Sequence, residues 1–130
     1  MTDSISPSMS KAYLNAYAQA QSMRSTRSRE ADIFRRVTWA LKEARKSGES
    51  MQKVRAISDV RRLWGVVHDS VLHPENHYPD QLKAQLASIA LTVLREVQSE
   101  DPDLDFLISV TASVGEGLDD APSSASSESS

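Results

Sequence analysis

The segment Arg61 to Gln81, RRLWGVVHDSVLHPENHYPDQ, holds every histidine of the chain, His68, His73 and His77, beside Asp69, Glu75 and Asp80. Imidazoles and carboxylates at this density could ligate a divalent metal or exchange protons as general acids and bases. His73 and His77 stand four apart, as helical zinc ligands do, but Pro74 and Pro79 interrupt the helix that would bring them to one face. His68 belongs to the preceding element. The segment has no HExxH pattern, and no GxSxG elbow arms any of the chain's serines. The absence of cysteine removes thiolate catalysis, sulfur-ligated zinc and disulfides. No catalytic residue, metal ligand or cofactor site is therefore expected, and the segment reads as a helix, a proline-bounded bend and another helix.

The elements that would position these residues are all helical. No run alternates apolar and polar residues over a strand length, and no Asn-Gly or Asp-Gly hairpin turn occurs. Apolar residues recur at three and four instead. A short first helix is expected around Ala12 to Gln21, and a second from Thr26 to Ser47 with Ile33, Val37, Ala40, Leu41 and Ala44 on one face and Gly48 as its terminator. A third runs from Ser50, a candidate N-cap, to Leu72, with Val54, Ile57, Val60, Trp64, Val67 and Val71 inward. The fourth opens at Pro79 and presents Leu82, Leu86, Ile89, Ala90, Val93 and Val97. The fifth is capped by Asp101 and opened by Pro102, with Leu104, Leu107, Val110 and Val114 on its apolar face.

The predicted fold is an all-α bundle of four to five helices in one domain, which 130 residues can supply with a modest core. Residues 1–9 form a flexible extension, residues 10–118 the helical domain, and residues 119–130, DDAPSSASSESS after Leu118, a disordered Ser-rich tail with no large apolar side chain. Aromatics at 5% and only four glycines argue against a large aromatic pocket or a phosphate cradle. No basic and apolar leader opens the chain, and LASIALTVL is far short of a membrane span, so a cytoplasmic protein without membrane contact is expected.

Charge is uneven along the chain. Residues 11 to 72 carry 13 Lys/Arg against 6 Asp/Glu, a net of +7, and residues 73 to 130 carry 2 against 11, a net of -9; Asp3 completes the total of -3. Such halves can neutralise each other in a bundle or steer partners of either sign.

From Met9 to Leu118 the chain resembles the flagellar biosynthesis regulator FlaF family of alphaproteobacteria. The resemblance rests on AYLNAYAQAQ, SREADIFRRVTWALKEA, RRLWGVVHDSVLHPENHYPDQLKAQLASIA and FLISVTASVGEGL, in that order. Arg27, Glu30, Phe34, Val37, Thr38, Ala40, Leu41, Arg61, Arg62, Leu63, Trp64, Asp69, Pro74, Asn76 and Pro79 stand where the family pattern places the same residue types. Val60, Tyr78 and Lys83 depart from it. The resemblance implies a non-enzymatic cytoplasmic factor needed for flagellin production and filament assembly, acting on flagellin in the manner of a secretion chaperone. The alternative it implies is a post-transcriptional regulator of flagellin that works through its counterpart FlbT or on flagellin messenger RNA.

A flagellin-binding factor would seat an amphipathic segment between its helices. Spacing residues 100 degrees apart sets Trp39 nearly opposite the apolar face of its helix, among Arg35, Lys42, Glu43 and Lys46. Trp39, Arg35 and Lys42, with Tyr13 and Tyr17 from the first helix, are the candidate partner-binding residues; the competing expectation is that the first helix folds over Trp39 and makes it core. Trp64 is expected in the core. Arg61 or Arg62 would cross to Glu30 or Asp69 and hold the hairpin, with Asn76 and Pro79 shaping its bend. Arg24, Arg27, Arg29, Arg35, Arg36 and Lys42 could track phosphates, but the negative total and the scarcity of aromatics make direct nucleic-acid contact the weaker expectation.

Overall fold

The computed structural model describes residues 7–120, with side chains over residues 29–118 and at Leu14 and Asn15. It comprises four helices, α1 (Pro7–Ser47), α2 (Ser50–Leu72), α3 (Asp80–Val97) and α4 (Leu104–Asp120), and no strand occurs among the described residues. The fold is the expected small all-α bundle, at the lower of the expected helix numbers. The expected N-terminal extension and Ser-rich tail fall largely outside the described residues.

The first two expected helices are one. Residues 22 to 26, Ser-Met-Arg-Ser-Thr, read as a break because Ser and Thr favour caps, but they include neither Gly nor Pro. In a helix interior Ser and Thr cost only a few tenths of a kcal/mol each, and α1 propagates through them to 41 residues, about 60 Å.

Helix ends follow local chemistry, with three shifts from expectation. Gly48 takes φ +71 and its N–H donates to Ala44 O at 3.0 Å, the left-handed cap that ends α1. Glu49, rather than Ser50, caps α2, because its carboxylate reaches Gln52 N at 3.0 Å while its carbonyl accepts from Lys53 N–H. At the other end His73, held extended at ψ 134 by the following Pro74, stops α2. Pro79 occupies the N-cap of α3 and leaves Asp80 as its first helical residue. Asp103, rather than Asp101, caps α4, accepting Phe106 N–H at 3.1 Å, and its own N–H is held by Glu96 Oε2 at 2.8 Å.

The two-residue link makes α1 and α2 an antiparallel hairpin; α1 also packs along α4, and α2 along α3. Arg45 meets Asp105 and Phe34 meets Gly115, so α1 and α4 run antiparallel. Trp64 is the largest fully buried side chain among the described residues, and Leu41, Val60, Val93, Leu107 and Thr111 are fully buried as well. The Trp64 ring stands edge-on to Phe34, centroids 5.6 Å apart at 87°, and its Nε1–H donates to Thr111 Oγ1 at 3.2 Å. Among the described residues no buried side-chain nitrogen or oxygen lacks a partner.

Periodicity misplaced two residues. Ile33 and Val54, expected inward, are 44% and 60% exposed, while Ala31, Phe34 and Thr38 complete the buried face of α1. The Thr38 hydroxyl is hidden by donating to Phe34 O at 2.8 Å, so its methyl can face the core.

Gly115 sets the distance between α1 and α4. A Cβ added there would stand 2.7 Å from Phe34 Cβ and 3.4 Å from its Cγ, and since a Cβ is fixed to backbone, relief requires the helices to separate. At Gly117 an added Cβ meets nothing within 4 Å. Alanine at either position gains about 1 kcal/mol of helix propensity, whereas overpacking costs about 1–3 kcal/mol. Gly115→Ala is therefore expected to lower the urea midpoint and Gly117→Ala to raise it, with equal slopes in both unfolding curves.

Candidate functional site

The histidine segment forms a stapled bend. Asn76 donates through Nδ2 to Ser70 Oγ at 3.2 Å and accepts Tyr78 N–H at its Oδ1 at 2.9 Å, while His73 Nδ1 accepts Glu75 N–H at 3.2 Å. His68 Nδ1 lies 4.0 Å from Asp69 Oδ1. Among the described residues no three His, Asp or Glu side chains converge as metal ligands.

The expected arginine crossing is not made. Arg62 faces Asp59 on its own helix at 3.9 Å, both side chains well exposed, and Arg61 points to solvent without reaching Glu30 or Asp69. Glu30 instead accepts from Tyr78 Oη–H at 2.8 Å, which ties α1 to the bend before α3. Helical spacing explains the difference: Arg62 lies one turn from Asp59 on an outward face. Pro79 starts α3 as described, and Trp64 is core.

Trp39 is 65% exposed and stands on the rim of a cleft of about 570 Å³ between α1 and α4. The floor is Phe34, Thr111 and Gly115, where Gly115 lets the two helices approach closely. Arg35, Arg36 and Lys42 share the α1 rim with Trp39, and Glu116 faces them from α4. Arg35 is paired with Asp32 on its own helix. The structure thus brings Trp39, Arg35 and Lys42 to one opening, while the Tyr13 and Tyr17 side chains lie outside the described residues. Because α1 is continuous, Tyr17 is set about 33 Å along the axis from Trp39 if the helix runs straight.

The far wall was missed. Thr111 and Ala112 lie one turn before Gly115 on α4, all three small, and a glycine inside an apolar helix is the signal of close packing that could have found them. Chemically the cleft offers an apolar floor, a large aromatic edge and three cations on one rim. That combination is chemically suited to an apolar side chain flanked by carboxylates. The charge division of the chain is partly answered within the bundle by Arg45 of α1 and Asp105 of α4, 2.6 Å apart and exposed.

Among the described residues no helix is long and apolar enough to cross a membrane. A family model described as flagellar protein FlaF matches residues 13–118. No curated protein and no solved structure matches the chain.

Proposed function

The chain belongs to the flagellar protein FlaF family, and from that premise we propose that it is a non-enzymatic factor that binds flagellin and promotes its export and assembly into the filament. The observation that carries the reading is the exposed Trp39 on the rim of the α1–α4 cleft. An aromatic of that size, left 65% in water beside an apolar floor, is the usual anchor of a protein interface. A helix laid along the cleft would bury the Trp39 ring and bring its carboxylates to Arg36 and Lys42.

Calorimetric titration with flagellin from the same cell, full length and with each terminal segment deleted in turn, tests this directly. Saturable binding that disappears with one terminus is expected. Absence of heat and of co-elution between two folded proteins would overturn it and favour action through the FlbT regulator.

A further inference from the structure

We propose that the outward face of α2 pairs with the same face of a second copy of this chain, the two α2 helices antiparallel and crossing at Gly65. Glycine weakens a helix interior relative to alanine. Gly115 has a use within the fold, the close approach of Phe34, whereas a Cβ added at Gly65 would meet nothing within 4 Å. Gly117 is equally open; what marks Gly65 is the arrangement around it. Arg61 and Asp69 stand four residues before and after it, about 40 degrees to either side on the helical wheel. Ser58 and Leu72 stand seven before and after, about 20 degrees to either side. Val54 and Leu72, 60% and 63% exposed, put large apolar side chains on the same face.

This symmetry selects the occupant. Arg61 is exposed and makes no ion pair among the described residues. The Asp69 side chain, 88% exposed, faces His68 Nδ1 at 4.0 Å and no arginine or lysine. Arg61 and Asp69 are eight residues apart on one helix, about 12 Å, too far to pair within one chain. A two-fold axis through Gly65 sets Arg61 of each copy opposite Asp69 of the other, so one pattern makes two ion pairs. It also lays Leu72 of each copy on Ser58 of the other, beside Val54, and takes both apolar side chains out of water. The bare glycine lets the two backbones approach at the crossing. The face is neutral as a whole, since Asp59 answers Arg62 on its own helix at 3.9 Å. Net charge therefore selects no foreign partner; the order of the charges, a cation before the glycine and a carboxylate after it, is self-complementary. None of these residues lines the Trp39 cleft, and the proposal does not depend on what binds there.

The test is sedimentation equilibrium of the full chain from about 10 μM to 1 mM, because one helix against one is at the small end of specific interfaces, below about 1,200 Å². A reversible monomer–dimer equilibrium is expected. Arg61→Asp sets carboxylates against carboxylates across the axis, and Asp69→Arg sets guanidinium groups against each other. Each variant is expected to weaken the dimer about tenfold or more, with the melting temperature of dilute protein unchanged. Mixed together, the two variants should pair with each other at close to the parent affinity, since opposite charges meet again at both ends. Gly65→Ala should raise the melting temperature of the dilute monomer and weaken the dimer about tenfold. The proposal is overturned if the protein stays monomeric throughout, if a dimer survives Arg61→Asp or Gly65→Ala intact, or if the two charge variants fail to pair when mixed. It is equally overturned if Trp39→Ala, and not Arg61→Asp, dissociates the dimer, or if Overhauser contacts show residues 119–130 of the same chain lying on Val54 and Leu72.

Discussion

Replacing Trp64 with alanine is expected to remove about 3–5 kcal/mol of stability, a large share of the margin of a domain whose total is about 5–15 kcal/mol. The side chain is fully buried, at the junction of the α1, α2 and α4 contributions to the core. Its loss empties the space against which Phe34 packs edge-on and strips the Thr111 hydroxyl of the donor it faces. The close contact of Gly115 with Phe34 limits how far α1 and α4 can move together to fill the cavity. Urea unfolding followed by circular dichroism should show a midpoint well below that of the parent, or no cooperative transition. Trp64→Phe is expected to retain the transition at a cost of about 1–3 kcal/mol, since it keeps most of the volume but not the indole N–H. A midpoint for Trp64→Ala close to that of the parent would show that the core is not organised around this ring.

Trp39→Ala should do the opposite. With 65% of the residue exposed, its truncation is expected to change stability by no more than about 0.5 kcal/mol. Its effect on flagellin affinity is expected to be about 2 kcal/mol or more, a weakening of roughly thirtyfold or more. Calorimetry and thermal melting on one preparation separate these quantities. Unchanged affinity would remove Trp39 from the interface; a large fall in melting temperature would show that the ring supports the fold in spite of its exposure. Two tryptophans in adjacent helices thus carry opposite predictions, one for folding and one for binding.

How much of this is legible in the sequence depends on the range over which each feature is determined. The ends of α2 and the stop at Gly48 are set by residues within a few positions, and Pro74 and Gly48 announce them; the caps at Glu49 and Asp103 are missed by one or two residues because neighbouring polar side chains compete for the same orphan N–H groups. A 100-degree wheel places Trp39 outward, and it is outward, because the buried side of α1 is determined mostly by its own apolar spacing. The wheel fails at Ile33, whose exposure depends on how much of α1 its neighbours α2 and α4 cover. It also cannot show the pairing of Glu30 with Tyr78, or the cleft wall at Thr111 and Gly115. Those depend on the register of helices far apart in the chain, and no periodicity within one helix carries that information. The merger of the first two expected helices has another cause: Ser and Thr mark helix starts statistically but oppose helix continuation only weakly.

The antiparallel pairing of the first helix with the last has a consequence for how the chain is made. Arg45 waits for a partner 60 residues later, and the Trp64 indole N–H for a hydroxyl 47 residues later. At about 5–20 residues per second, 60 residues take a ribosome roughly 3–12 s. Throughout that interval Phe34 and Leu41 have no α4 to cover them, so the nascent protein presents the same kind of sticky helical surface that a chaperone exists to shield, and its folding is gated by the emergence of its own C-terminal helix.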